Sequence, residues 1–222
     1  MNVSELIQTL LIYALPVIFA ITLHEAAHGY VAMRLGDRTA WMMGRVTLNP
    51  VPHIDPVGTL LMPALLFVAT GGNFLFGYAR PVPVRFGQLR HPKRDMVWVA
   101  LAGPAINLIQ AIGWGVVFYL LHAADVQERF FVEVCKAGIQ VNAVMFAFNL
   151  FPLPPLDGGR ILVGLLPMRA ALAVSRIEPW GFYIVMVLVV LGVINAIWMT
   201  PIMELTFEII RTALIPFKLL LN

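Results

Sequence analysis

Residues 6–28 read LIQTLLIYALPVIFAITLHEAAH, an uncharged apolar stretch that runs directly into three ionisable side chains. A helix needs about 20 mostly apolar residues to cross the hydrocarbon core of a bilayer. The stretch therefore predicts a membrane-spanning helix from about Glu5 to Leu35, ending at Gly36 and Asp37. Pro16 lies inside this helix and is expected to kink it.

Further uncharged stretches cover residues 97–121, 137–156 and 180–203. The chain of 222 residues is 60% hydrophobic and only 12% charged, whereas a soluble domain carries about 25% charged residues. We expect an all-α polytopic membrane protein with about four to six transmembrane helices. We expect one membrane-embedded domain over residues 1–222, with a core at 6–167 and C-terminal helices at 180–222. The tail from 201 is either a last span or an interfacial helix.

Basic residues cluster between the first two long spans: Arg34, Arg38, Arg45, Arg80, Arg85, Arg90, Lys93 and Arg94. Short loops rich in Lys and Arg mark the cytoplasmic side of a membrane. The net charge of +3 is therefore assigned to loops facing lipid headgroups, and no nucleic-acid partner is expected. The uncharged stretch 56–79 is expected to be re-entrant, because a full crossing would place the second half of this cluster outside; its length also permits that crossing.

Two segments near this side have the pattern of short β-strands. Residues 45–50 alternate polar and apolar side chains, as in a short strand or hairpin, and 81–84 read PVPV, which excludes helix and is tolerated at sheet edges. The edge formed by Arg80, Val82 and Val84 is a candidate for holding a substrate in an extended conformation by β-addition.

A helix predicted over 134–149 is interrupted by Pro152, Pro154 and Pro155 and resumes near Asp157. Broken helix at membrane depth is tolerated only where it is buried in protein or lines a cavity. The break therefore indicates a functional region.

The sequence HEAAH at 24–28 matches H-E-x-x-H on a helix, a spacing that puts both imidazoles on one face where they can share a metal, with Glu25 beside them as a general base. A charged residue at the centre of a membrane helix costs on the order of 2.5 to 3.5 kcal/mol, so three ionisable groups there need a reason. Metal coordination supplies one. The alternative is two histidines bonded to backbone and a glutamate paired with an arginine.

Catalytic zinc usually has three protein ligands, so His24 and His28 require a third. Asp157 is the candidate because it is the only acid between Ala137 and Pro167 and directly follows the helix break. One Zn²⁺ per chain is expected. The alternative role for Asp157 is to cap the resumed helix.

Other polar residues are secondary candidates. Asn107 lies about 15 Å into its helix from Val97, a depth that His24 and His28 share if both helix ends are cytoplasmic. Asn107 and Asn149 are candidates for stabilising an oxyanion or holding substrate, the alternative being hydrogen bonds between helices. His53 is a candidate gating residue or a structural one, and Cys135 is expected to be a buried small apolar residue.

Three motifs in order make the sequence resemble the site-2 protease family of intramembrane zinc metalloproteases: HEAAH at 24–28, GPAIN at 103–107 and NLFPLPPLDGG at 149–159. The resemblance implies that His24, His28 and Asp157 bind zinc, that Glu25 is the catalytic base, and that Asn107 and Asn149 lie near the site and help to hold substrate. Residues 47–58 and 77–84 are similar to the compact branch that lacks PDZ and CBS domains.

The expected function is hydrolysis of a peptide bond in or near the transmembrane segment of a membrane protein. The expected location is the bacterial inner membrane, with the active site nearer the cytoplasm. One alternative is a non-proteolytic metal-binding scaffold or transporter, which has no need of Glu25. A diiron oxygenase acting on lipid is a weaker alternative, because five histidines with one paired motif are too few. Substrate identity and oligomeric state stay open.

Overall fold

The computed structural model describes residues 3–61, 65 and 79–221. Within these ranges the α-helices are α1 (Val3–Leu35), α2 (Thr39–Met42), α3 (Pro92–Ala123), α4 (Arg129–Asn149), α5 (Asp157–Leu165), α6 (Met168–Ser175), α7 (Glu178–Val190) and α8 (Thr200–Leu221). Short 3₁₀ turns lie at Val51–His53 and Phe86–Gln88, and π-helical turns lie at Pro56–Leu61 and Asn195–Met199.

Three helices of the described chain, α1, α3 and α4, are long and apolar enough to cross a membrane. The count rises to four if α6 and α7, which are bent by 65° at their junction, form one broken span. The described residues therefore contain three or four candidate spans, against the four to six that the sequence predicted. The protein is an integral membrane protein built from helices.

The predicted span over 180–203 is not one continuous helix. Helix α7 ends at Val190, and Gly192 adopts φ of 73°, a left-handed conformation that glycine accommodates without a Cβ clash. The chain then forms the π-helical turn and enters α8 at Thr200. Uncharged composition predicted a helical span here but not its turn.

Helix α3 lies at the centre of the bundle and packs against α1, α4, α5 and α8. Its contact with α1 is close because Gly103 faces α1: a Cβ at this position would collide with the imidazoles of His24 and His28. On the far side of the bundle, Ala111 of α3 and Ala143 of α4 form a small-residue core with Ile210 and Leu214 of α8. Small residues allow membrane helices to approach closely.

The predicted helix break is present between α4 and α5, at residues 150–156. Gly158 and Gly159 open α5 against the backbone of the break, and a Cβ on either residue would overlap backbone atoms of 150–154. At the other end of α5, the Lys93 ammonium donates to the carbonyl of Leu166. Helix α5 is thus held at both ends.

The predicted β-strands are wrong for the residues that the structure describes, since 45–50 and 79–85 contain no strand. Two backbone N–H groups that a strand partner would use are already paired. Arg80 N–H donates to His53 O over 3.0 Å, and Val82 N–H donates to the Glu25 carboxylate over 2.7 Å. Pro81 and Pro83 have no N–H to offer on the opposite edge. Most of the predicted re-entrant segment 56–79 lies outside the described residues.

Candidate metal centre and active site

The side chains of the two histidines of α1 approach each other at their Nε2 atoms. His24 and His28 lie one helical turn apart, with their Nε2 atoms 3.0 Å from each other and their ring planes at 85°. Both residues are buried, with relative exposures of 5% and 8%. The spacing of four residues therefore produces the shared face that the sequence predicted.

Asp157 completes the cluster from the first turn of α5. Its Oδ2 atom lies 3.2 Å from His24 Nε2 and 3.3 Å from His28 Nε2. Ligand atoms about 2.0 to 2.2 Å from a tetrahedral zinc ion are separated by about 3.3 Å, so the three observed separations fit one ion at their centre. Oδ2 is buried and lacks a hydrogen-bond partner among the described residues, as is typical of an atom placed for a cation.

The tautomer of His28 is set by a backbone carbonyl. Its Nδ1 lies 2.7 Å from the carbonyl oxygen of Val99 on α3. A carbonyl oxygen can only accept, so Nδ1 carries the proton and, in the neutral ring, Nε2 has a free lone pair. Metal-ligating histidines commonly donate their second ring N–H to such an acceptor.

The tautomer of His24 is set by an amide. His24 Nδ1 lies 2.6 Å from Asn107 Oδ1 on α3. The Asn107 amide nitrogen donates to Ala20 O over 3.2 Å and to Asn142 Oδ1 over 2.9 Å, so its oxygen is the atom that accepts from His24. His24 Nε2 therefore also presents a lone pair to the cluster.

Two imidazole lone pairs and a carboxylate oxygen thus converge without a proton between them. Three electron-rich atoms in a buried site repel one another unless a cation lies among them. His24, His28 and Asp157 form a group that could hold a metal ion, and the residues present fit zinc.

Glu25 lies beside the cluster and is half-buried. Its Oε2 atom accepts the backbone N–H of Val82 over 2.7 Å. Among the described residues Oε1 has no hydrogen-bond partner. The carboxylate is therefore oriented by one oxygen while the other is able to take a proton.

The remaining predicted residues lie in several places. The Asn149 amide donates back to Met145 O over 3.0 Å at the end of α4. His53 is buried and its Nε2 lies 3.2 Å from Thr47 O, so it is not part of the metal group. Arg80 is exposed, and Val84 is half-buried. Of the predicted set, the structure brings His24, His28, Asp157 and Asn107 together, with Glu25 adjacent.

Sequence reasoning missed three contributors to the site. These are the Val99 carbonyl, the Val82 N–H and the Asn142 side chain. Backbone groups leave no signal in a sequence. Asn142 did leave one, because it is an amide inside the uncharged stretch 137–156, where polar side chains are costly.

Outside the membrane-spanning helices, Asp37 organises the loop that follows α1. Its two carboxylate oxygens accept the backbone N–H of Thr39 over 2.9 Å and of Arg85 over 2.6 Å. Burial opposes ionisation of Asp37, but the hydrogen bonds from Thr39 and Arg85 outweigh it and hold the pKa of this carboxyl below its usual range. Asp37 thereby fixes the 85–90 loop to the end of α1.

A buried two-histidine, one-carboxylate site on membrane helices, with a glutamate next to the first histidine, defines a metalloprotease that works in the membrane. Residues 120–192 match the family model described as "Peptidase family M50". The chain belongs to this family, the site-2 proteases, and is a zinc metalloprotease by class.

Curated relatives agree over most of the chain. The "Putative zinc metalloprotease YwhC" of Bacillus subtilis is 40% identical over 182 residues, which cover 78% of this chain and 77% of the relative. The "Putative zinc metalloprotease Rip2" of Mycolicibacterium smegmatis is 32% identical over 181 residues, covering 80% and 66%. The protein of the same name from Mycobacterium tuberculosis is 29% identical over 198 residues, covering 86% and 70%. No solved structure matches.

Proposed function

We propose that this protein hydrolyses a peptide bond in or near the transmembrane segment of a membrane protein substrate, with one Zn²⁺ per chain held by His24, His28 and Asp157. The observation that carries the proposal is the convergence of three buried ligand atoms within 3.3 Å of one another, beside a glutamate with a free carboxylate oxygen. The proposed catalytic domain spans residues 1–222, with its core at 6–167.

When bound, zinc supplies Lewis acidity, lowering the pKa of a water to about 7 and polarising the substrate carbonyl. Glu25 acts as the general base: Oε1 takes a proton from the water as that water forms a bond to the carbonyl carbon. Glu25 then gives this proton to the amine that leaves when the C–N bond breaks. The Val82 N–H holds Oε2 and so keeps Oε1 directed at the water.

Substrate handling is assigned to polar groups near the break and to the segment over α1. Asn149, at the end of α4, is proposed to bind the substrate backbone, which a transmembrane helix must expose by local unwinding. Asn107 supports the site through His24, because both of its amide hydrogens already have acceptors. Residues 80–84, with His53 bonded to their first N–H, are proposed as a gate over Glu25.

The proposed orientation puts the basic loops in the cytoplasm of a bacterial cell and the active site nearer that face. Helix α1 supports it, since Arg34 lies in its last turn and His24 to His28 lie about 9 to 15 Å away along the axis. The proposed membrane is therefore the inner membrane.

The experiment compares wild type with Glu25→Gln, each purified in detergent and assayed for bound zinc and for cleavage of a transmembrane substrate. Glu25→Gln should retain zinc and lose activity by about 10² to 10⁴-fold, the usual contribution of a general base. Glu204→Gln, which neutralises an exposed acid on α8, is the matched control and should cleave normally.

A wild type that binds zinc but cleaves no transmembrane substrate would favour a non-proteolytic scaffold or transporter. Iron in place of zinc would favour an oxygenase. Either result contradicts the proposal.

A further inference from the structure

We propose that Asn142, on α4, is a positioning residue for the metal centre: it acts through Asn107 to hold the His24 lone pair toward the ion, and so raises zinc affinity. This inference rests on the metal-binding part of the proposed function. It does not depend on the substrate or on the proteolytic step.

The two asparagines form a buried relay across three helices. Asn107 on α3 and Asn142 on α4 are each 0% exposed, and they connect to His24 on α1. Buried amides at membrane depth are kept where their hydrogen bonds are made, since lipid offers no replacement partner. Every polar atom of this relay has a partner.

The direction of the relay is fixed by atoms that can only accept. Asn142 Nδ2 lies 2.9 Å from the carbonyl oxygen of Gly138, so the nitrogen must face that oxygen. Asn142 Oδ1 then faces Asn107, whose amide nitrogen must donate to it over 2.9 Å. Asn107 Oδ1 is left to accept from His24 Nδ1. The usual ambiguity between amide oxygen and nitrogen is resolved here by a backbone carbonyl.

Removing the Asn142 side chain deletes one of the hydrogen bonds that hold the Asn107 amide in this orientation. The Asn107 amide nitrogen would retain its longer bond to Ala20 O, at 3.2 Å, and a weak contact with the Met145 sulfur at 4.0 Å. The amide could then rotate and present nitrogen to His24, which favours the other tautomer and places a proton on Nε2. A protonated Nε2 cannot bind zinc.

A merely structural role for Asn142, joining α3 to α4, makes a different prediction. Loss of the amide would then lower the stability of the apoprotein and leave the metal site of the folded fraction intact. Zinc affinity and histidine tautomer distinguish the two roles, and neither requires a proteolysis assay.

The test uses full-length protein in detergent with three variants. Asn142→Leu removes the acceptor while keeping a side chain of similar branched shape. Asn142→Asp keeps an oxygen for Asn107, and in its protonated form it also keeps a donor for Gly138 O. Thr206→Val is the matched control, because Thr206 is equally buried but bonds only within its own helix, to Ile202 O.

Zinc dissociation constants are measured by competition with a chelator. Cobalt-substituted samples report ligand geometry through their visible absorption. NMR of ¹⁵N-histidine-labelled apoprotein reports the His24 tautomer. Asn142→Leu should weaken zinc binding by about tenfold, the lower end of the effect of groups that orient ligands, and shift His24 away from the Nδ1–H form.

Asn142→Asp and Thr206→Val should both remain close to wild type. If Asn142→Leu does not fold, Asn142→Ala, which removes the same acceptor, is used in its place. Unchanged zinc affinity and tautomer in the folded variant would overturn the inference, as would an Asp variant as weak as the Leu variant. If wild type bound no zinc, the proposed function would fail, and the tautomer measurement would still decide the role of Asn142.

Discussion

Two faces of helix α1 differ in what holds them. The His24 and His28 face is fixed by α3 and α4 through Val99 O, Asn107 and Asn142, all within packed helices. The Glu25 face is contacted by residues 79–85, which have no regular secondary structure. The comparison teaches that the protein positions its candidate metal ligands from packed helices and its candidate base from a segment without regular secondary structure.

The largest expected effect comes from a change at Gly103, which packs against the His24 and His28 face of α1. In Gly103→Ala, the added methyl group collides with both imidazoles. Zinc affinity should fall by about 100-fold, corresponding to the upper part of the 1 to 3 kcal/mol cost of overpacking. A chelator competition titration measures it.

Gly113→Ala is the matched control, because it lies on the same helix with nothing within 4 Å of the new Cβ. It should bind zinc as wild type does. Equal zinc affinity in the Ala variants at 103 and 113 would show that the His24 and His28 face accommodates the added methyl group. The contrast between the two faces of α1 would then be wrong.

The Glu25 face is tested by Val82→Pro, which deletes the N–H that donates to the Glu25 carboxylate. We expect kcat to fall by about tenfold, the order of effect of losing one hydrogen bond to a charged group, with zinc content unchanged. Steady-state cleavage with metal analysis of the same sample measures both.

Val84→Pro sharpens this result because the structure gives the Val84 N–H no contact with Glu25. If only the Val82 contact matters, Val84→Pro cleaves normally. If residues 80–84 pair with substrate as a strand, both variants lose activity equally, and the interpretation as a gate is wrong.

The smallest expected effect concerns the loop that follows α1. The pKa of Asp37 is lowered in the folded protein, so its ionised form adds stability above its unfolded pKa of about 3.9, and this is lost as pH falls through the folded pKa. Asp37→Asn should lower stability by about 1 kcal/mol at pH 7, with the difference from wild type shrinking as pH falls through the folded pKa of Asp37.

Thermal unfolding in detergent at several pH values measures the effect. Asp125→Asn, at an exposed acid with positive φ that asparagine also tolerates, is the control and should show no such pH-dependent difference. A constant difference between the Asp37 variant and wild type at all pH values would contradict the ionic role.

Much of the site could be predicted because its signals are local or costly. His24 and His28 lie one turn apart on a helix, and Asp157 is an isolated acid after a proline break. The fold was less accessible. Uncharged composition predicted α1, α3 and α4, but it carries no signal for the turn at Gly192 or for the bend between α6 and α7.

The errors have a physical origin as well. Residues 80–84 have strand-like composition, yet their N–H groups bond to His53 O and to Glu25, which are distant in sequence. A sequence pattern indicates which side chains suit a strand. It does not indicate which acceptor will form the hydrogen bond with each backbone N–H group. For the same reason, the sequence did not predict that the Val99 carbonyl accepts a hydrogen bond from His28.

The anchoring of α5 at both ends has a consequence for biogenesis. His24 and His28 precede Asp157 in the chain, and Asp157 opens a helix that the break holds at its first turn and Lys93 holds at its end. The three candidate ligand atoms are therefore together only in a chain whose later helices are in place. In the proposed zinc site, a chain without α5 lacks the carboxylate ligand.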